Sequence, residues 1–504
     1  MNRLVIIALL SFLLSSCDEK TDKCLPEQLL CEYLDNPIGV DTESPRLKWK
    51  ITDKRQGAIQ YAYQIWVDSD STAVLNRMGD MWNTGKVVSE AEQVTYQGKP
   101  LQPFTKYFWA VQVWDKDHKK CPASKVASFE MGIMQMKNWT GSWITDTRDT
   151  DLKPAAYFRK EFQSEKTIKK AQVYIAAAGL YELFINGQRV GNHQLDPTYT
   201  RYDRRNLYVA YDVSDLIQKK NAVGVLLGNG WYNHQSTAVW FFDKAPWRAR
   251  PKFCLDLRLN YEDGSVETIS TERDWKTALS PVVFNSIYTA EHYDARLEQP
   301  GWNKPGFDDA DWKESIITSM PSKNIVAQLM HPIRHVDEIR PVSMRKVNNK
   351  KYVFDLGRNI AGVSKISVQG DAGTVLRVTH SELIDETGNV DLSNIIVHYR
   401  PTDNQDPFQT DIYTLKGEGI ETFLPRFNYK GFQYVEVLSD QPIELTQNSL
   451  IGIFMHSDVP PIGSIKSSDS TLNKIWEATN NAYLSNLFGY PTDFPQHKKN
   501  GWTG

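Results

Sequence analysis

The sequence predicts a mainly β protein of several domains, and three observations carry that expectation. Residues alternate with period two in segment after segment, as where Tyr63, Ile65 and Val67 alternate with Ala62, Gln64 and Trp66, the repeat expected of strands. Asn186-Gly187 and Asp263-Gly264 each follow such a run, and an Asn-Gly or Asp-Gly dipeptide there is the strongest short-range hairpin signal. Helical spacing enters only near the end, after the linker Val459-Pro460-Pro461-Ile462-Gly463. A chain of 504 residues fits about three or four domains. Hydrophobic and charged contents of 41% and 24% are those of an ordinary globular chain. A net charge of −3 offers no basic field for phosphates, which argues against nucleic acid as a partner.

The first 17 residues read as a targeting segment. Asn2-Arg3 supplies a positive start and residues 4–14 are apolar. That run is shorter than the roughly 20 residues a spanning helix needs. Leu14-Ser15-Ser16-Cys17 matches a bacterial lipobox. The expectation is a lipoprotein signal peptide over 1–17, cleaved before Cys17, with Cys17 lipidated and the protein anchored in the cell envelope at the outer membrane or periplasmic face. Two or more acyl chains hold where one does not. A plain secretory signal with an incidental Cys17 is the alternative. Residues 18–30 read as a polar tether. Cys24, Cys31, Cys121 and Cys254 show no zinc-type clustering. A Cys24–Cys31 disulfide and free, buried thiols both remain open.

Residues 31–132 predict an immunoglobulin- or fibronectin-like domain, with several short strands in about 100 residues. Tyr107, Trp109, Val111 and Val113 repeat the alternation, and Asn83-Thr84-Gly85 and Asp115-Lys116-Asp117 fall where turns are needed. Residues 142–330 predict a jelly-roll-like sandwich, with strand patterns at residues 180–185 and 253–261. Within it, the stretch around Trp231, Tyr232, Trp240, Phe241, Phe242 and Trp247 reads as an aromatic-rich loop. Residues 338–457 read as a further β-sandwich. Over 464–504, Asp469 is placed to cap a helix carrying Leu472, Ile475, Trp476, Thr479, Ala482 and Tyr483 at helical spacing.

Several motifs together resemble one family. They are Gly179-Leu180-Tyr181-Glu182, Gly228-Asn229-Gly230-Trp231-Tyr232, Tyr293-Asp294-Ala295-Arg296, His380-Ser381-Glu382-Leu383, and Asp493-Phe494-Pro495-Gln496-His497-Lys498 with Gly501-Trp502. They resemble the bacterial inverting α-L-rhamnosidases. The resemblance implies a carbohydrate-binding-like jelly roll, then a β-sandwich. Residues 464–504 then become the first helix of an (α/α)6 barrel whose remainder the family places after Gly504. It implies terminal α-L-rhamnosides as substrates and rhamnose-containing glycans as partners, with Asp493 on the sugar hydroxyls, Trp502 as a pocket wall and Trp231 stacking on sugar. Asn186 and Asn229 match positions that serve as calcium ligands in some members, the only cofactor implied; the turn role of Asn-Gly is the alternative. Arg358 and Arg426 are within the resembling segments, and Glu382 is the carboxylate on a segment that faces the catalytic domain.

The same resemblance sets an expectation against catalysis. The family's general acid, a Glu, falls on Lys498, and its general base lies beyond Gly504. A lysine would need its pKa brought from about 10.4 toward 7 to replace that acid. Phe494 and His497 also depart from the signature's Cys and Arg. The expectation is a family lipoprotein truncated in its barrel and inactive as an isolated chain. Two alternatives stand beside it: a surface rhamnose lectin built on the loop around Trp231, or one half of a split enzyme completed by a second chain.

Overall fold

A computed structural model describes residues 24–236, 241–396 and 406–499. The lipobox and Cys17 lie outside the described residues, as do Trp240 and Trp502. The chain divides into two units, the first holding residues up to 36, 44–100 and 106–129. Its centre is the antiparallel pair Gln60–Asp68 and Lys106–Asp115, with Ile65 opposite Val111 and Val67 opposite Trp109. All four side chains are fully buried, as is Trp49, whose indole N–H donates to Gln60 at 2.9 Å. Trp66 points the other way, where the Arg77 guanidinium covers its ring at 5.6 Å. Both faces of this strand are therefore covered, and the alternation seen in sequence carries apolar residues on both.

The expected tether ends early. Leu25–Cys31 is a strand, paired on one side only with Arg46–Thr52. Pro26 fits there because an edge strand tolerates a missing N–H. The disulfide joins Cys24 to Cys121, not to Cys31. The extended strand between Cys24 and Cys31 separates them by about 20 Å at ~3.3 Å per residue, whereas bridged Cα atoms stand about 4.4–6.8 Å apart. Cys24 and Cys121 have Cα atoms 5.7 Å apart. Cys31 and Cys254 are free and buried, and burial pushes both thiols well up.

The second unit holds residues 37–43, 101–105 and 130 onward. A sandwich comes first. One sheet centres on Ile168–Ala178, flanked by Asn206–Asp212 and Lys252–Tyr261; the other runs through Leu180–Ile185, Lys220–Gly228, Ala156–Gln163 and Lys276–Leu279. Val173, Ile175, Leu255 and Leu257 from one sheet meet Phe158, Leu183, Val223 and Val225 from the other in a single core. Leu180–Ile185 alternates as predicted: Tyr181, Leu183 and Ile185 face that core, while Glu182 and Phe184 are on the opposite face and half-buried.

A second sheet system follows, built on the 19-residue strand Lys351–Gln369. It bends so that its first half pairs with Lys430–Ser439 and its second half with Leu450–Ser457. Gly362 is needed at the bend, since a Cβ there would lie 1.8 Å from the Ile453 carbonyl oxygen. Val282–Asn285 and Glu291–Asp294 belong by sequence to the 142–330 sandwich, yet they join this sheet, with His292 beside Ile412 in parallel register. The buried Lys430 amine donates to both oxygens of the buried Asp411 carboxylate at 2.8 Å, and Asp411 accepts from the Glu291 N–H. Burial pushes the Lys430 pKa down, and Asp411 opposes it.

The C-terminal helix is Ser470–Ser485, capped by Asp469, whose carboxylate accepts from the Thr471 N–H at 2.7 Å. Leu472, Ile475 and Tyr483 are exposed along it. No helix among the described residues is long and apolar enough to cross a membrane.

The buried ion pair yields a direct test. Removing one partner strands a charge without water, so Asp411→Ala should lower unfolding free energy by about 3–5 kcal/mol. Replacing both, as Asp411→Leu with Lys430→Met, should cost much less; chemical denaturation of the three proteins measures the difference.

Candidate functional site

The segment from Asn486 to Lys499 is fixed to the second unit by residues of four different stretches. The Ser457 N–H donates to the Leu487 carbonyl at 2.7 Å, and the Gly489 N–H donates to the Ser457 hydroxyl at 2.7 Å. Gly489 has φ +81, and a Cβ there would meet Thr198 at 2.1 Å, so only glycine fits. Phe488 stacks on Tyr429 with centroids 3.7 Å apart. At the far end the Lys499 amine donates to the carbonyls of Ile287 and Tyr288 at 3.0 Å, and to that of Tyr429. It also lies over the Tyr429 and Tyr288 rings at 4.7 and 5.9 Å. Burial, reinforced by nearby Lys430, drives the Lys499 pKa well below the usual lysine value. The Tyr288 hydroxyl donates to the His497 carbonyl at 3.2 Å.

Lys498 and Asp493, which the signature assigns to different roles, face each other. The Lys498 amine is 2.8 Å from Asp493 Oδ2, and both side chains remain about one-third exposed, at 39% and 35%. Phe494 stacks on His497 at 5.0 Å. Gln496 is buried and hydrogen-bonds Glu382, whose pKa burial raises while that bond opposes it. Glu382 therefore does meet the signature segment. Arg358 makes an exposed pair with Asp337 at 3.1 Å. Arg426 is tied to Glu182 and Glu291, each at 3.4 Å.

Two sequence expectations need correction. Trp231 is 3% exposed and packs among Phe242, His234 and Tyr288. Trp231, Tyr232 and Phe242 are therefore core, whereas Phe241 of the same stretch is exposed. Asn186 and Asn229 cannot share an ion. They stand at opposite ends of paired strands, since Ile185 opposes Val223 and Leu180 opposes Gly228, which sets them about 20 Å apart at ~3.3 Å per residue. Asn186 has φ +53 beside Gly187 at +84, as a tight hairpin turn requires. Its amide oxygen accepts from the Ala222 N–H, and its amide donates to Leu216 and Asn221. Asn229 is buried, bonded to Asn285 through its backbone N–H and side-chain amide. Among the described residues no three His, Cys, Asp or Glu side chains converge as a metal site. Nothing in the local sequence marks Lys499 as the buried member of the Lys498-Lys499 pair.

Comparison with known proteins places these features. Residues 26–135 match the Rha78A-like N-terminal immunoglobulin domain, and 166–337 the alpha-L-rhamnosidase N-terminal domain. Residues 345–456 match the bacterial alpha-L-rhamnosidase concanavalin-like domain and 460–504 its 6 hairpin glycosidase domain. The chain belongs to the bacterial α-L-rhamnosidase family. An alpha-L-rhamnosidase of Formosa agariphila is 32% identical over 95% of this chain and 52% of its own length. One from Alteromonas sp. (strain LOR) is 31% identical over 93% and 51%. The solved alpha-L-rhamnosidase of Dictyoglumus thermophilum superposes with a TM-score of 0.86 at 38% identity, covering 95% of this chain and 54% of that one. That of Streptomyces avermitilis, complexed with L-rhamnose, gives 0.86 at 25% identity, covering 95% and 62%. The chain thus spans about half the length of the curated rhamnosidases it matches.

The buried surroundings of Trp231 in this rhamnosidase-family chain also predict an acid sensitivity. His234 is fully buried beside Trp231, and neither ring nitrogen has a hydrogen-bond partner among the described residues. Burial, with the Arg248 and Lys499 charges, pushes its pKa down to about 3. The unfolded chain takes up this proton near pH 6.5 and the folded chain does not, so stability falls as pH drops from about 6.5 toward 3, by ~1.4 kcal/mol per pH unit from this group. His234→Phe should flatten that part of the stability–pH curve relative to the parent, as urea unfolding between pH 6.5 and 4 would measure.

Proposed function

We propose that the protein acts on terminal α-L-rhamnosides, that inverting hydrolysis is the reaction of its family architecture, and that residues 1–504 recognise sugar without cleaving it. The observation that carries this reading is that Lys498, at the place the signature resemblance gives to the general acid, has its amine 2.8 Å from Asp493 Oδ2. Inverting hydrolysis uses two carboxyl groups about 6.5–9.5 Å apart, one to protonate the departing oxygen and one to activate water. At Lys498 an ammonium stands where the acid is needed, and its charge opposes the developing oxocarbenium ion. Loss of a general acid alone costs roughly 10²–10⁴ in rate. The sugar is supported by the relatives, which are named alpha-L-rhamnosidases, one of them solved with L-rhamnose. The lipobox ending at Cys17 supports attachment to the cell envelope, where the β-domains would meet rhamnose-containing glycans. A lectin built on Trp231 is not favoured, because that ring is enclosed.

Incubated with p-nitrophenyl α-L-rhamnopyranoside, the purified chain should release no L-rhamnose above a buffer control. Release that disappears on Lys498→Ala would overturn the assignment of Lys498 as a non-functional acid position.

A further inference from the structure

One end of the first unit gathers cations around Cys24, the residue at which the described chain begins. The disulfide holds Cys24 against the 116–121 loop, with the Cα atoms of Cys24 and Cys121 5.7 Å apart. Strand register brings the 52–56 turn to the same end, since Leu25 opposes Thr52. Arg55 ties the turn to the loop, pairing with Asp53, Asp115 and Asp117 at 2.6, 2.9 and 3.3 Å. The Lys116 amine donates to the Gln56 carbonyl at 3.0 Å. Asp115 Oδ1 accepts from the Asp117 and Lys119 N–H groups at 3.0 and 2.9 Å, which fixes the loop.

This arrangement uses up carboxylates and leaves lysines. Arg55 engages all three aspartates of the turn and the loop, whereas Lys116, Lys119, Lys120 and Lys125 are exposed and make no ion pair among the described residues. Beside them Tyr61 stacks on His118 at 3.7 Å, and Lys86 lies over the Tyr61 and Trp114 rings at 5.4 and 4.6 Å. Tyr61 and Trp114 are half-buried, and Ile59 is 54% exposed. Lysines around partly exposed Tyr and Trp rings suit the headgroup layer of a bilayer, which is wet on one side and apolar on the other. The chain as a whole carries a net charge of −3, so attraction to an anionic surface has to come from a local concentration of cations such as this one.

We propose that this end of the first unit docks on the anionic headgroups of a lipid bilayer, as a second membrane contact beside the lipid on Cys17. The choice of a bilayer as partner rests on the lipobox reading; the clustering of the lysines does not. Residues 17–24 span at most about 25 Å even when fully extended, so an anchor at Cys17 keeps the disulfide-linked loop near the surface. Lysines close to an anionic leaflet each add attraction, which salt screens over about 10 Å.

Cosedimentation tests the proposal with residues 18–504, which retain every described residue and carry no lipid. The probes are vesicles of phosphatidylcholine alone and with about 30% phosphatidylglycerol, in salt of about 0.05 M and about 0.5 M. Binding to the anionic vesicles at the lower salt is expected, with none to phosphatidylcholine and loss at the higher salt. Lys119→Ala with Lys120→Ala should weaken it about thirtyfold, from about fivefold per lysine, with unchanged melting temperature. Lys219→Ala with Lys220→Ala, at an exposed lysine pair of the second unit, should leave it unchanged. Absence of binding to anionic vesicles, equal loss in the two double variants, or binding of soluble polygalacturonate in place of the vesicles overturns the proposal. The anchor is read separately, by the mass of the protein expressed from its full sequence in a bacterial envelope. A lipidated Cys17 with no vesicle binding by residues 18–504 would sink the docking surface and leave the anchor intact, whereas lysine-dependent vesicle binding with an unmodified Cys17 would support the surface and count against the anchor.

Discussion

The amine of Lys499, enclosed by three backbone carbonyls and two tyrosine rings, decides where the family's signature segment sits. Carbonyl oxygens buried without a donor are costly, and so is a buried amine without acceptors. Each satisfies the other here. The three carbonyls come from Ile287, Tyr288 and Tyr429, so one side chain ties the end of the segment to two separate stretches of the sheet system. Stacking of Phe488 on Tyr429 and the glycine-only fit of Gly489 against Thr198 fix its beginning. Between these anchors Lys498 pairs with Asp493 and lies over the Phe494 ring, with both charged side chains about one-third exposed. An exposed pair of this kind contributes about 0–1 kcal/mol. The segment thus depends more on the neighbouring Lys499 than on the Lys498–Asp493 pair.

The same division appears in the jelly-roll-like sandwich. Its inner face is a closed aliphatic and aromatic core. Its outer face, read by the other half of the period-two pattern, is where Glu182, Phe184 and Leu226 meet Trp302. Strand alternation therefore does two jobs in one sequence pattern, a closed core on one side and half-buried polar and aromatic contacts on the other. Val282–Asn285 and Glu291–Asp294 leave this sandwich to extend the next sheet. The Glu291 N–H reaches the Asp411 carboxylate that also holds Lys430. The two sheet systems consequently share a core, and the boundary suggested near residues 330–338 is a boundary of sequence pattern more than of packing.

Much of the fold was legible because its signals are local. Period-two runs marked the strands, Asn186-Gly187 the hairpin, and Asp469 the helix start. What failed depended on long-range pairing. Trp231 looked like a surface aromatic because loops usually face water, but Phe242 of its own loop packs against it and Tyr288, distant in sequence, closes over it. The partner of Cys24 is 97 residues away, beyond any spacing rule. Asn186 and Asn229 match calcium-ligand positions of the family and are separated by the length of a strand pair. Of the candidate site, Lys498 and Asp493 were readable from the signature. Lys499 was not, because nothing local distinguishes a buried lysine from a solvated one.

The signature segment is held by Lys499 and not by the Lys498–Asp493 pair. Amide hydrogen exchange of residues 486–499 in Lys499→Ala and Lys498→Ala tests this most directly. Lys499→Ala should raise exchange at Gly489, Thr492 and their neighbours by about 10²-fold, the equivalent of ~2–3 kcal/mol of local stability, while Lys498→Ala leaves it within about threefold of the parent. Equal protection in the parent and Lys499→Ala proteins, or loss of protection in Lys498→Ala alone, would contradict it.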